Sequence, residues 1–176
     1  MADSQSPYRK SSFRVITEKV AGLPKPVRNK ALNLVVGHAV KFVGTSGIEI
    51  ETLEPEMVHL KLANRKKVQN HIGGIHAAAM ALLAESATGL IVGLCVSKDS
   101  LPVLKSMKID YKKRASGDME AVARLTPEQI KMLGHTPKGN LVVPVVVTDS
   151  QQIEPIHVEM EWAWIPAKKT GGGKNA

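Results

Sequence analysis

Aromatic side chains are scarce: two Phe, two Trp and two Tyr among 176 residues. The core therefore has to be assembled from Val, Leu, Ile, Met and Ala. The scarcity also weighs against nucleic acid as a partner. Its readers usually combine basic patches with exposed aromatics or a known helical motif, and no such motif occurs here. Cysteine is nearly absent as well. The single Cys95 closes no bridge within the chain and anchors no metal framework, so a reducing compartment is the default. No apolar run follows Arg9 and Lys10, as a secretory signal requires, and Asp3 and Glu18 argue against a mitochondrial leader. The expectation is a cytoplasmic protein, with the mitochondrial matrix left open.

Positive charge is in excess: 24 basic and 16 acidic residues give a net +8. That balance favours anionic partners such as nucleic acid, acidic lipid or a phosphorylated cofactor, without choosing among them. With 43% apolar and 23% charged residues the composition is that of an ordinary globular protein. The length suits one domain with a real core. The polar ends, 1–12 and 167–176, read as flexible tails around a single domain at 13–166 with a helical lead-in.

From Ile72 to Val96 only His76 and Glu85 interrupt an apolar stretch long enough to span a membrane. A central carboxylate costs about 3 kcal/mol on insertion scales, and the flanking strands need this segment as their core. It reads as a buried helix from about Gly74, with no membrane span. Before it, Phe13–Val20 reads as a short helix. Val27, Ala31, Leu34, Val35, His38 and Phe42 form a stripe on a longer one, ended by Gly44 and Gly47. Two strands follow, with Ile48 and Ile50 in one and Val58, Leu60 and Leu62 in the other.

Four more strands come after the buried helix. In Lys105–Lys113, Met107, Ile109 and Tyr111 share one face, and Ser106, Lys108 and Asp110 the other. Asp118–Leu125 alternates similarly, Leu141–Thr148 carries Pro144 as a bulge or edge position, and Ile156–Trp164 is the last. Thr126-Pro127-Glu128 starts a short helix. The expected fold is α+β: an antiparallel sheet of about six strands wrapped around one long helix, behind N-terminal helices. A helix apolar nearly all round must be covered on more than one side, so the face away from the sheet awaits another element or a second subunit.

The chemistry concentrates in Asn70-His71-Ile72-Gly73-Gly74-Ile75-His76-Ala77-Ala78 and, further along the helix, Glu85. Asn70 alone could be a local cap, His76 a bonded core histidine, and Gly73-Gly74 a plain turn. Glu85 among Ala81, Leu82, Leu83, Ala84 and Ala87 is costly when ionised unless paired. Burial would raise its proton affinity and suit it to general-base work; the alternative is an ion pair across a dimer seam. Gly74 to Glu85 spans eleven residues, roughly 16 Å of helix. Asn70 and His76 therefore cannot meet Glu85 of their own chain, whereas a two-fold axis would bring Glu85 to the other subunit's Asn70. The first-turn N–H groups near His76 and Ala77 could hold an oxygen gaining negative charge.

The spacing Asn-x5-His-x8-Glu, ending inside an Ala/Leu helix, resembles the hot-dog thioesterases of the phenylacetyl-CoA type. Arg65-Lys66-Lys67-Val68-Gln69-Asn70-His71 with Ile75-His76-Ala77 and Leu83-Ala84-Glu85 is similar to a thioesterase-like branch of hot-dog proteins, from about Val27 through Pro166. The resemblance implies an acyl-CoA thioesterase that needs no metal or redox cofactor and works as a homodimer or a tetramer of such dimers. Glu85 would activate water, or act as nucleophile. Asn70 of the opposite subunit would orient that water, the Ala77 N–H would be the oxyanion donor, and His76 would shape the turn. Gly73 and Gly74 would let substrate approach. Arg65, Lys66, Lys67, Lys112, Lys113 and Arg114 would meet the phosphates of CoA, or an acyl-carrier-protein thioester. Two departures stand out: Ala77 and Ala78 replace paired glycines, and Leu104 stands near where some relatives have a Ser, with nearby Ser106 put on the same face as Leu104 by alternation. They motivate the alternative, a non-catalytic hot-dog module that binds acyl thioesters or another apolar ligand.

Overall fold

The computed structural model describes residues 10–167, so the tails expected at 1–12 and 167–176 lie almost wholly outside the described residues. Its elements are α1 (Ser12–Val20), α2 (Lys25–Ala39), α3 (Lys41–Ser46), β1 (Ile48–Leu53), β2 (Met57–Leu62), α4 (Ala77–Cys95), β3 (Ser100–Tyr111), β4 (Met119–Arg124), α5 (Pro127–His135), β5 (Gly139–Val143), β6 (Val145–Asp149) and β7 (Ile156–Pro166). Local chemistry sets several of the boundaries. The Ser11 hydroxyl accepts the Arg14 N–H to start α1. Thr126 and Gln129 form a reciprocal capping box at the start of α5. Gly47, at φ 74°, ends α3 in the left-handed region.

The strands form two antiparallel sheets, β1-β2-β4-β6 and β3-β7-β5. The segment expected as one strand, Leu141–Thr148, is two: Pro144 divides it, and β5 pairs with β7 while β6 pairs with β4. Proline cannot donate to a ladder. Pro144 instead accepts the Arg124 N–H at the point where the chain passes from one sheet to the other.

α4 lies in the concave side of both sheets. Leu83, Ala84, Ala87, Ile91 and Leu94 are fully buried against Val58, Leu60 and Leu62 of β2 and Met119, Ala121 and Ala123 of β4. The alanines of β4 let the helix backbone approach that strand. Among the described residues, α4 is the one helix long and apolar enough to cross a membrane, and 67% of its apolar window is buried inside the fold. At its middle the indole of Trp162 rests on Gly89, where a Cβ would come within 2.8 Å of the ring. The Trp162 Nε1 donates to the Thr88 hydroxyl at 2.9 Å.

Two expectations about faces are corrected. In the lead-in, Leu32, Val36 and Val43 are buried, while Val27, Leu34, His38 and Phe42 of the expected stripe are exposed. The chain breaks at Val40, and α3 folds back so that Gly44 packs on Gly37; a Cβ at Gly44 would lie 2.6 Å from the Gly37 carbonyl oxygen. That close crossing turns the helices away from the side the spacing implied. In β3 a bulge between Leu104 and Ser106 breaks the alternation: Leu104 pairs with Trp162, but Ser106 pairs with Glu161 on the outer face. Ser106 is thus not on the face of Leu104.

One side of α4 remains open. Ala78 is exposed, and Ala81, Leu82, Glu85 and Gly89 are half-buried. Met107 and Tyr111 are on the face of β3 turned towards the helix, yet are 42% and 51% exposed. β3 pairs with β7 along one edge and, among the described residues, has no strand on the other.

Candidate functional site

The loop from Val68 to His76 is fixed mainly by its own backbone and by Asn70. The His76 N–H donates to the Val68 carbonyl at 2.8 Å, Asn70 N–H to Gly74 at 2.8 Å, and Gly73 N–H to Asn70 at 3.1 Å. The Asn70 Oδ1 accepts the N–H groups of Ile72 and Gly74, each at 3.1 Å. Because both partners are donors, the side-chain oxygen has to face them. Nδ2 is left pointing elsewhere, without a partner among the described residues. Gly73, at φ 77°, supplies the left-handed residue that the turn needs. Asn64 Nδ2 donates to the Gly73 carbonyl at 3.1 Å and Arg114 Nη2 to the Ile72 carbonyl at 3.4 Å, clamping the loop from both sides.

His76 is the N-cap of α4: its Nδ1 accepts the Ala78 N–H at 3.1 Å, so the neutral ring carries its proton on Nε2. The Ala79 and Met80 N–H groups already reach the His76 carbonyl. The Ala77 N–H is therefore the open donor of the first turn, with the positive end of a nineteen-residue helix behind it. On its other side, the Tyr111 hydroxyl donates to the Ala77 carbonyl at 3.0 Å. Spacing gave no hint of this contact, although it put Tyr111 on one face of β3 with Met107 and Ile109.

Glu85 follows eight residues later, about 12 Å along the helix, so the structure does not bring it to the loop of its own chain. It is half-buried on the open side of α4, and burial pushes its carboxyl above the ordinary glutamate range. Only the Ser86 hydroxyl, a weak donor at 3.4 Å, works against that shift. No Lys, Arg or His among the described residues pairs with it. A half-buried carboxylate with raised proton affinity is a better proton acceptor than an exposed one.

The basic clusters flank the loop. Arg65 pairs with Glu49 at 3.1 Å and Lys112 with Asp110 at 3.5 Å. The Lys67 ammonium lies over Gly47 at the end of α3, and Lys66 and Lys113 are exposed. Among the described side chains of these clusters, Arg114 is the one that donates a hydrogen bond to the loop, at the Ile72 carbonyl. Cys95 does not suit a nucleophile: burial pushes its thiol up to about 12. No group of three or more His, Cys, Asp or Glu among the described residues could hold a metal ion.

The fold is that of known thioesterases. A protein of unknown function from Pseudomonas aeruginosa, described as a probable thioesterase, superposes with a TM-score of 0.69 at 25% identity, over 82% of this chain and 97% of its own. A thioesterase from Haemophilus influenzae gives 0.65 at 16% identity, over 81% and 93%. A thioesterase from Staphylococcus aureus gives 0.61 at 19% identity, over 72% and 99%. No curated protein matches the sequence. The architecture is the hot-dog fold: antiparallel sheets curled around a central helix, here behind an N-terminal helical lead-in. Residues 28–165 match the domain of unknown function DUF4442, from α2 to the end of β7, and the chain belongs to that family.

Proposed function

We propose that this protein is an acyl-CoA thioesterase that hydrolyses an acyl-CoA to free acid and CoA at a site shared across a homodimer. The observation that carries this reading is Glu85: a carboxylate of raised proton affinity, unpaired, on the open side of the central helix. In the proposed reaction, Glu85 takes a proton from water, and the hydroxide attacks the thioester carbonyl carbon. The oxygen, now negative, is held by the Ala77 N–H and the helix dipole. Collapse breaks the carbon–sulfur bond, and the CoA thiolate recovers the proton from Glu85.

Distance and exposure both support the dimer. Glu85 is too far from Asn70 of its own chain, and an antiparallel two-fold arrangement brings it to the partner's loop, where the free Nδ2 of that asparagine can orient the water. The unpaired edge of β3 and its exposed inward residues, Met107 and Tyr111, offer the surface for such a contact. In the Staphylococcus aureus thioesterase, a glutamine and a glutamate fifteen residues further on are the positions substituted to alanine in solved variants. Asn70 and Glu85 have the same separation. Arg114, which lines a polar cavity of about 240 Å³ with Asn64, Gly73 and Gly74, is the basic residue best placed for a CoA phosphate. Lys113 and Lys66 would add longer-range attraction.

The test is a panel of acyl-CoAs with released thiol followed over time. The reading expects turnover in the wild type and its loss in Glu85→Ala and Asn70→Ala; unchanged rates in both variants would sink the mechanism. A second reading, a non-catalytic acyl-thioester binding module, is favoured by one observation: His76 occupies the Ala78 N–H, leaving a single donor for the oxyanion. Thermal stabilisation by acyl-CoA without thiol release would decide for it.

A further inference from the structure

A cavity of about 260 Å³ opens beside the start of α4, between that helix and α3 of the lead-in. Its walls are Phe42, Thr45 and Ser46 on α3 and Ala78, Ala79 and Leu82 on α4, with Val68 below. His76 and Ala78, the neighbours of Ala77 in sequence, both line it, which sets it at the first turn of α4. Leu82 lies one helical turn before Glu85.

The polar residues in this lining are mostly spoken for. The Thr45 hydroxyl donates to the Lys41 carbonyl and the Ser46 hydroxyl to the Val43 carbonyl, both at 2.9 Å. The Gln69 Nε2 reaches the Asn64 carbonyl at 3.4 Å, and His76 Nδ1 caps Ala78. Lys67 is the exception among the described lining residues, a cation held over the end of α3. A guest therefore meets apolar surface inside and one positive charge on the loop side. A pantetheine arm would leave its amides unpaired against Phe42, Ala79 and Leu82, which is costly. A saturated acyl chain would leave nothing unpaired.

We infer that this cavity holds the acyl chain of the substrate, that it fits a medium saturated chain, and that Phe42 and Ala79 set the length. The inference rests on the thioesterase reading. The cavity volume of about 260 Å³ accommodates about eight groups the size of a water molecule or a methylene, the size of an octanoyl chain.

Wild type, Ala79→Phe and Phe42→Ala are assayed with saturated acyl-CoAs from butyryl to palmitoyl. The wild type is expected to prefer octanoyl-CoA. Ala79→Phe should lower the octanoyl rate about tenfold while keeping butyryl turnover, and Phe42→Ala should move the optimum to longer chains. If the wild type turns over acyl-CoAs but neither variant changes the chain-length profile, this inference falls and the thioesterase reading stands. An equal change in KM for every chain length would assign the cavity to the pantetheine arm and also overturn it. Should the wild type release no thiol, the thioesterase reading falls, and thermal shift with octanoate alone decides for the cavity. Stabilisation of wild type but not of Ala79→Phe upholds it as an acyl-chain site, and equal or absent stabilisation removes it.

Discussion

The hydroxyl of Tyr111, on the edge strand β3, donates to the carbonyl oxygen of Ala77, the first residue of α4. The bond ties the edge of a sheet to the helix terminus whose N–H is open. Tyr111→Phe removes it while keeping the ring. Because the side chain is exposed, the stability loss should be about 0.5–1 kcal/mol in urea unfolding. The turnover number should fall several-fold with KM nearly unchanged, since the donor is displaced rather than the acyl or CoA contacts. Wild-type kinetics in this variant would show that the helix start holds its position unaided.

Burial at Glu85 has a sign that can be measured. A carboxyl whose folded-state proton affinity is raised costs stability above the unfolded value, near 4.5, and that cost grows until the folded value is passed. Glu85→Gln should therefore abolish thioester hydrolysis and at the same time leave the protein more stable than wild type at neutral pH. The gain should shrink as pH falls towards the ordinary glutamate range. The wild-type rate should rise with pH along a limb whose midpoint is above that range. Calorimetry and a pH–rate profile test both. A less stable Gln variant would mean that the ionised carboxylate has a partner, and the ion pair across a dimer seam would be the better account.

Asn70 does two jobs that one substitution can separate. Its Oδ1 holds the N–H groups of Ile72 and Gly74, and its Nδ2 is free. Asn70→Asp keeps the acceptor and loses the donor, so melting temperature should stay near wild type while turnover drops by at least about tenfold. Asn70→Ala should lose both the turn and the rate. Equal activity in wild type and Asn70→Asp would confine Asn70 to shaping the loop.

Asp149 is a structural carboxylate of the opposite kind. It is buried, which alone would raise its proton affinity, but the N–H groups of Ser116, Ile153 and Gln151 outweigh that and hold it below the usual range. The stability it supplies is present above the unfolded aspartate value and disappears as pH falls through the lower folded one. Asp149→Ala should cost about 2–3 kcal/mol at neutral pH, measured by denaturant unfolding, and the mutant should be less sensitive than wild type to mild acid. An unchanged unfolding midpoint would contradict the role given to these three bonds.

Period-two alternation and the Ala/Leu helix made the sheet-around-helix plan legible, because burial on one face of a strand and all round a helix writes itself into residue spacing. Met107, Ile109 and Tyr111 fall on the inner face of β3 as their alternation implies. Leu104 and Ser106 are not on one face as plain alternation would have them, because a bulge between them inserts a residue without any mark that a single sequence carries. The stripe from Val27 to Phe42 misled for a different reason. Apolar residues at helical spacing indicate one face but not what covers it, and the Gly37–Gly44 crossing aimed Leu32, Val36 and Val43 inward instead. At the site, the separation of Asn70 from Glu85 was readable from helix rise. The capping by His76, the Tyr111 tether and the cavity beneath Phe42 depend on tertiary approach, to which spacing is blind.

The two tryptophans of the chain are neighbours but one on β7, both buried, and each lies over a glycine: Trp162 on Gly89 of the central helix, Trp164 on Gly139 at the head of β5. Their indole N–H groups donate to Thr88 and to the Thr136 carbonyl. Intrinsic emission from this protein is therefore a two-channel signal, one channel for the seat of the helix and one for the junction between α5 and β5. Replacing either indole with phenylalanine would isolate the other. Trp162, four residues along the helix from Glu85 through its contact with Gly89, would then report ligand entry by colour without any added dye.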